Sequence, residues 1–338
     1  MKKAHSTSRR RALRWAPGLI GLGVLWALVS AYSPAEILNE MTQGDWHLLL
    51  PLALVMSVIG LFIVSLADTI VVRHGVGHIR YWDQVRGKAG SSVLDVVGYA
   101  ASHGGYAVWI ARFAGTTASA AFGVLLVIMA GDLAAVFLVA CAPIFLVDVP
   151  VSQTIAATTI GLAVVMVGLL FIPRRTPSTG PTHWRAISRK IKRGPGLLQL
   201  GLRMAQIILW VIATTLGAWT FGLQIPLWAM GVYGPLILLA AALPLNVAGF
   251  GVAQGAWILL LDYAPGEQIL AFAALWNLAL AIAVVLRGLP FLSGVVREVG
   301  GDSMTAVSDA AAHRDPTLLA GDATPLKAAL TLGIAEKS

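Results

Sequence analysis

Six charged side chains lie within or beside long apolar stretches of the sequence, where a charge needs a reason. They are Asp68, Asp95, Arg112, Asp132, Arg203 and Arg287. A charge at the centre of a membrane-spanning helix costs roughly 2.5–3.5 kcal/mol on insertion scales, so it needs a partner or a function. Asp68 and Arg203 lie near the cytoplasmic ends of their predicted spans, and we expect both simply to reach the membrane surface.

Asp132 differs because it lies in the middle of the apolar run Ile128–Ala134. We expect its carboxylate to face the interior of the helix bundle and to pair with a cation. Arg112 is the nearest candidate along the chain, and Arg287 is another. The pair would either line a polar path for a lipid headgroup or form a structural ion pair, and the sequence leaves both interpretations open.

Two glycine-containing segments supply further polar groups. His103, beside Gly104 and Gly105, suits three roles, which are binding of a headgroup phosphate, proton transfer and helix capping. Further along the chain, Asn246 and Gln254 offer neutral donors and acceptors near glycine amides, which suit an anionic phosphate. The sequence thus predicts no catalytic residue, and it predicts substrate-binding residues at His103, Arg112, Asp132, Asn246, Gln254 and Arg287.

The composition excludes an ordinary soluble enzyme. Only 12% of the 338 residues are charged and 57% are hydrophobic, whereas soluble domains contain about 25% charged residues. The net charge of +8 is concentrated in a few loops, which favours membrane orientation over nucleic-acid binding. The single cysteine, Cys141, argues against disulfides and a zinc site. Metalloprotease, serine-hydrolase and P-loop motifs are missing as well, so we expect no metal and no cofactor.

Apolar runs of membrane-spanning length recur along the chain and predict an all-α polytopic membrane protein. We predict about seven or eight transmembrane helices together with re-entrant or broken segments. The complete spans lie at about Pro17–Tyr32, His47–Val72, Ser119–Ala140, Ser152–Ile172, Leu197–Phe221, Leu227–Leu243 and Gln268–Leu289. Residues 17–31 also fit a cleaved signal peptide, which would leave the orientation of the remainder unchanged.

Basic residues set the predicted orientation, because cytoplasmic loops are enriched in Lys and Arg. Residues 1–16 carry six basic side chains and no acid, and residues 174–196 carry seven and no acid, so we expect both in the cytoplasm. The membrane domain then covers residues 17–296. A flexible cytoplasmic tail follows at 297–338, much shorter than a typical catalytic domain of about 100–150 residues.

The segment Ser91–Ala111 is predicted to be a re-entrant hairpin or an interfacial helix. If it crossed the membrane completely, the basic loop at 174–196 would face outward, against the positive-inside rule. Asp95, Gly98 and His103 interrupt the segment, and non-helical backbone at membrane depth requires cover from protein or a wet cavity.

A second interruption separates two apolar runs near the end of the chain. Leu243–Gly251 contains a proline and two glycines, and the following run Val252–Leu261 is too short to span alone. Interrupted elements that enter from opposite faces are typical of an inverted repeat around a midplane cavity. Close packing of glycine-rich helices is the alternative.

Two patches resemble the lysylphosphatidylglycerol-synthase transmembrane-region family, a flippase-like membrane domain. The first is Gly98-Tyr99-Ala100-Ala101-Ser102-His103-Gly104-Gly105, which continues to Arg112, Gly115 and Asp132. The second, Leu243–Gly255, is similar to the family's Pro…Gly-x-Gly-Val-x-Glu-Gly signature. The resemblance covers roughly residues 45–295.

The resemblance implies a bacterial inner-membrane protein with a translocation or accessory role for a modified phospholipid, and the basic segments place both termini in the cytoplasm. Some members of the family handle hopanoid or polyprenyl-linked lipids, and fused members carry a separate cytosolic domain that transfers the amino acid. The resemblance therefore implies the translocation or accessory role without the synthase activity, which favours a transporter over an enzyme. Three departures weaken a mechanism based on the family's charges, because Gln254 replaces an acid, Ala253 a basic residue and Asn277 an arginine.

The first functional hypothesis is thus a translocase for an anionic or aminoacylated phospholipid, or a related polyprenyl or hopanoid lipid. The second is an intramembrane transferase that uses His103 with Asp95. The third is a non-catalytic partner of a lipid-modifying enzyme.

Overall fold

The computed structural model describes residues 23, 26–27, 30–94, 99–147, 150–171, 193–242 and 251–300, and contains no strand among them. Its helices are α1 Pro34–Gln43, α2 Trp46–Gly75, α3 Tyr81–Val93, α4 Tyr99–Phe113, α5 Ala118–Leu146, α6 Gln153–Phe171, α7 Arg193–Thr220, α8 Leu227–Ala242, α9 Val252–Leu260 and α10 Gly266–Gly300. Several predictions fall outside the described residues, namely those on residues 1–16, the first span, Asp95, the basic loop up to residue 192, Asn246 and the tail from residue 301.

Among the described residues, four helices are long and apolar enough to cross a membrane, and they confirm the prediction of an all-α polytopic membrane protein. They are Trp46–Gly75, Ala118–Leu146, Gly194–Thr220 and Gly266–Arg297. Each has at least 27 residues, which corresponds to about 40 Å and exceeds a hydrocarbon core of about 30 Å. The described part of α6 and the whole of α8 add two shorter apolar helices, at Gln153–Gly168 and Leu227–Ala242.

Local capping fixes where two of the long helices begin. Asp45 precedes α2 and accepts a hydrogen bond from the backbone N–H of His47 at 3.0 Å. Thr117 precedes α5 and accepts one from the N–H of Ala120 at 3.3 Å. Side-chain oxygens at these positions satisfy amides that the first helical turn leaves without partners.

The packed centre of the bundle is built around α2, α5 and α7. The most extensive helix contact joins α2 to α7, and α5 packs against α6, α7 and α8. Large buried aromatic side chains from α9 and α10 belong to the same core, with Phe272 stacked on Trp276 at a ring separation of 6.2 Å. Leu200 and Ile207 of α7 belong to it as well, so the core adjoins the polar side chains described below.

The first interrupted segment is a pair of short helices, α3 and α4, which pack against each other. They contain 13 and 15 residues, about 20 and 22 Å, which is less than the thickness of the hydrocarbon core. The prediction of an interruption from Ser91 to Ala111 had the wrong start, because the short pair begins at Tyr81. The polar composition of α3 explains the error, since a helix without an apolar run was assigned to a loop.

Glycines let α3 approach its neighbours closely. The indole ring of Trp109 lies directly over Gly87, with its Nε1–H donating to the carbonyl oxygen of Asp83 at 2.9 Å. On the other side of α3, the position of a Cβ atom at Gly288 would be 2.4 Å from the carbonyl oxygen of Ala89. These contacts hold a polar helix inside the bundle.

The second interruption separates α8 from α9. α8 ends at Ala242, and α9 has 9 residues, about 14 Å, which is too short to span. Gly251 before α9 has φ of 128°, a backbone conformation that favours glycine. An inverted repeat relating this segment to the α3–α4 pair stays a prediction. All the residues of the site described next belong to the compact unit Met1–Val295; the chain beyond it forms a second unit.

Candidate functional site

The centre of the candidate site is a buried ion pair between Asp68 of α2 and Arg203 of α7. The Arg203 Nη2 atom donates to Asp68 Oδ1, and the two residues are 0% and 3% exposed. They are 135 positions apart in the sequence, so the pair fastens two of the long helices together. By the rise of an α-helix, Asp68 lies about 10 Å before the end of α2.

Two neutral side chains extend the network from Asp68, one bonded to its carboxylate and the other to the first. The hydroxyl of Tyr106, on α4, donates to Asp68 Oδ2 at 2.7 Å. Gln84, on α3, donates its amide Nε2–H to the oxygen of Tyr106. All three residues are at most 1% exposed, so the carboxylate is held by donors in a dry environment, where such bonds are strong.

Lys88 brings a second cation to the same carboxylate. Its Nζ lies 3.6 Å from Asp68 Oδ2 and 4.6 Å from the centroid of the Tyr106 ring. A cation at this distance from an aromatic face is attracted by the ring. The Lys88 side chain keeps 23% of its surface exposed, so one end of the network is accessible.

Asp132, at the middle of α5, forms the other accessible end. Its Oδ1 lies 2.7 Å from Arg203 Nε, an ion-pair contact whose angle does not make it a hydrogen bond. The Oδ1 atom is inaccessible, although 42% of the Asp132 side chain is exposed. Because an exposed carboxylate about 21 Å from the start of α5 is costly in lipid, we expect water or a polar ligand beside Asp132.

Two buried amide atoms near the network lack a hydrogen-bond partner within the described residues. Gln199 precedes Arg203 by one turn, and its amide group packs directly against Gly131, the neighbour of Asp132. Its Nε2 is one of these atoms and Oε1 of Gln84 is the other. A buried polar atom of this kind costs free energy unless it forms a hydrogen bond to water or a ligand. Each of the two amides can therefore form one further hydrogen bond.

The described network is electrically balanced. Its ionisable groups are the acids Asp68 and Asp132 and the bases Lys88 and Arg203. When all four are charged the sum is zero, and each charge has an opposite neighbour. Five helices, α2, α3, α4, α5 and α7, contribute to it.

Within the contacts that the structure describes for this network, Asp132 is the one predicted substrate-binding residue that takes part. His103 lies half-buried on α4, one turn before Tyr106, and Arg112 is exposed in the last turn of that helix. The other two described residues have contacts elsewhere. The Oε1 atom of Gln254 accepts from the Gly251 amide at 2.6 Å, and Arg287 donates to the carbonyl oxygen of Ser57. Asn246 lies outside the described residues.

Two expectations about charged residues were wrong. Asp68 and Arg203 do not reach the membrane surface but are buried together. Asp132 pairs with Arg203 rather than with Arg112 or Arg287. The first expectation was based on the position of Asp68 near the end of its helix. It was wrong because the short helices α3 and α4 cover Asp68, and hydropathy does not reveal where those helices lie.

Sequence reasoning missed the polar members of α3 and α4, and also Gln199. Gln84 and Lys88 lie in a stretch assigned to a loop, and Tyr106 lies in the predicted re-entrant segment Ser91–Ala111, where no role was predicted for it. The spacing of Gln84, Lys88 and Ser91 at intervals of three and four was an available signal, because it places them on one helical face. Among the described residues there is no cluster of three His, Cys, Asp or Glu that could hold a metal ion.

These features define the protein as a helical membrane bundle with a buried charge network inside it. The chain belongs to the family described as "Lysylphosphatidylglycerol synthase TM region", which matches residues 14–288. This confirms the family that the two sequence patches predicted, and it makes the chain a multi-pass membrane protein of a family connected with lipid modification or transport. No curated protein and no solved structure matches the chain.

Proposed function

We propose that the protein is a lipid translocase of the bacterial inner membrane, which moves a phospholipid headgroup between leaflets. The observation that carries the proposal is Asp132, a carboxylate at the middle of a membrane helix with 42% of its side chain uncovered by protein. Family membership supports a lipid as the substrate. The acyl chains stay in the bilayer while the headgroup contacts the polar network.

The two acids of the network have different roles in this proposal. Asp68 is fully buried and accepts from Arg203 and Tyr106, so it holds the helices together. Asp132 has Arg203 as its ion-pair partner and an accessible side chain. Neutralising Asp132 leaves Arg203 with its partner Asp68, and the fold is therefore preserved while the headgroup contact is lost.

The test is headgroup movement in proteoliposomes that contain the purified protein. Fluorescently labelled phosphatidylglycerol, lysyl-phosphatidylglycerol, phosphatidylethanolamine and a polyprenyl phosphate would each be tested, and a membrane-impermeant quencher would report the outer leaflet. We expect the wild-type protein to move at least one of them, and Asp132→Asn to lower that rate about tenfold or more, equivalent to about 1.4 kcal/mol.

Asp262→Asn is the matched control, because it makes the same chemical change at an exposed position in the loop after α9. Gel filtration and circular dichroism would verify that both variants are folded. Wild-type rates in folded Asp132→Asn protein would refute the role of Asp132, and failure of folded wild-type protein to move any lipid would refute the proposed function.

A further inference from the structure

The two accessible ends of the network carry opposite charges. Lys88 presents an ammonium group with 23% of its side chain exposed, and Asp132 presents a carboxylate with 42% exposed. Between them lie Asp68 and Arg203, which are buried and directly paired. The chain of contacts therefore runs from an accessible cation through a covered ion pair to an accessible anion.

Each accessible end can change partners without breaking the centre. If Lys88 turns to a ligand, Asp68 keeps the hydrogen bonds from Arg203 and Tyr106. If Asp132 turns to a ligand, Arg203 keeps its bond to Asp68. The buried pair thus acts as a fixed support, and the two outer charges are available for binding.

The charge balance limits which ligands these ends accept together. A ligand with a single negative group satisfies Lys88 but is repelled by Asp132, and a ligand with net positive charge has the opposite conflict. Like charges brought together at a desolvated site cost several kcal/mol. A headgroup with one phosphate and one ammonium satisfies both ends and leaves the sum of buried charge at zero.

We propose that the site selects zwitterionic phospholipid headgroups, with Lys88 binding the phosphate and Asp132 binding the ammonium group. The inference rests on the proposed function and specifies its substrate class. The amide group of Gln199, packed against Gly131 with Nε2 lacking a described partner, adds a neutral donor for an ester oxygen of the lipid.

Binding and transport would be measured with three lipids that differ in headgroup charge. The probes are phosphatidylethanolamine, which is zwitterionic, phosphatidylglycerol, which is anionic, and lysyl-phosphatidylglycerol, which carries a net positive charge. Native mass spectrometry of the purified full chain would give relative binding, and proteoliposomes would give transport. We expect wild-type protein to prefer phosphatidylethanolamine by about tenfold over either of the others, equivalent to about 1.4 kcal/mol.

Two neutralising variants should shift selectivity in opposite directions. Lys88→Gln removes the phosphate partner and leaves Asp132, so the ratio of lysyl-phosphatidylglycerol to phosphatidylglycerol binding should rise about tenfold. Asp132→Asn removes the ammonium partner and leaves Lys88, so the same ratio should fall by a similar factor. Lys88→Arg should keep the wild-type order, and Arg86→Gln, at an exposed position on the same helix, should change neither ratio.

The outcomes separate this inference from the proposed function. Opposite shifts in the binding ratio support the inference even if no lipid is transported, in which case the translocase proposal alone fails. Equal losses for all three lipids in both variants, or a wild-type preference for either charged headgroup, would overturn the inference while leaving translocation possible.

Discussion

At the scale of single residues, the two acids of the network differ in their number of partners, and we assign a structural role to Asp68 and headgroup binding to Asp132 on this basis. Asp68 is 0% exposed, accepts hydrogen bonds from Arg203 and Tyr106, and forms an ion pair with Lys88. Asp132 has Arg203 as its described partner and a partly exposed side chain. Removing one partner of a buried pair leaves an uncompensated charge, which is more harmful than never having had the pair.

Asp68→Ala should destabilise the protein by about 1–3 kcal/mol, because it leaves the buried Tyr106 hydroxyl without its acceptor, whereas Arg203 retains Asp132 as an ion-pair partner. Thermal unfolding in detergent, followed by tryptophan fluorescence, would measure the loss. Asp262→Ala in the exposed loop is the control. The Asp68→Ala/Arg203→Ala double variant should lose less than the two single variants added together, and additive losses would contradict the pairing.

Residue-level prediction from the sequence succeeded in identifying Asp132 as a paired interior charge, because a central position in an apolar run leaves few alternatives. It failed for Asp68, since a residue near a helix end faces either water or protein and hydropathy does not distinguish the two. Gln84 and Tyr106 could not be identified, because their role depends on contacts between helices that are distant in sequence.

At the scale of elements, the network depends on α3, a polar helix held inside the bundle by close glycine contacts. The backbone of α3 touches α10 at Gly288, where a Cβ would lie 2.4 Å from the carbonyl oxygen of Ala89 and 2.5 Å from Val93 Cγ2. Backbone atoms cannot yield as a flexible side chain can. Any displacement of α3 also moves Gln84 and Lys88.

Gly288→Ala should accordingly destabilise the protein by about 1–3 kcal/mol, the usual cost of overpacking. Gly294→Ala, on the same helix, has nothing within 4 Å of the new Cβ and should be neutral or stabilising by up to about 1 kcal/mol. The same thermal unfolding measurement compares them. Equal stability of the two variants would show that α3 and α10 do not touch as described.

Apolar elements were predictable, including the short α9, which corresponds to the run Val252–Leu261, whereas the polar helix α3 was not. The run His47–Val72 corresponds to α2 at Trp46–Gly75. A stretch of about twenty or more apolar residues satisfies its backbone hydrogen bonds in a bilayer by forming a helix. The run Ser119–Ala140 was too short, since α5 continues through Pro143 to Leu146. The helix α3 was missed because its polar side chains are satisfied by other helices, which the local sequence does not reveal.

At the scale of the whole molecule, the basic segments predict one orientation for the entire bundle. Residues 1–16 and 174–196, rich in Lys and Arg, should face the cytoplasm. The loop around Asp262 between α9 and α10 should then face outward. Arg203, nine residues into the span Gly194–Thr220, would lie nearer the cytoplasmic side.

Reporter fusions test this orientation directly. Alkaline phosphatase is active only outside the cytoplasm, so a fusion after Ala264 should be active and one after Gly180 inactive, with a fluorescent cytoplasmic reporter giving the reverse pattern. Expression levels of each fusion provide the control. Phosphatase activity after Gly180 would reverse the proposed topology and remove the argument for an interrupted α3–α4 segment.

The long separation between Asp68 and Arg203 also has a consequence for biosynthesis. Arg203 is translated 135 residues after Asp68, a delay of about 7–27 s at synthesis rates of roughly 5–20 residues per second. Tyr106 follows Asp68 by 38 residues, and Lys88 comes earlier still. These two side chains are therefore the first that the ribosome supplies to the carboxylate, and they can shelter Asp68 in the newly inserted chain until its permanent counter-ion has been made.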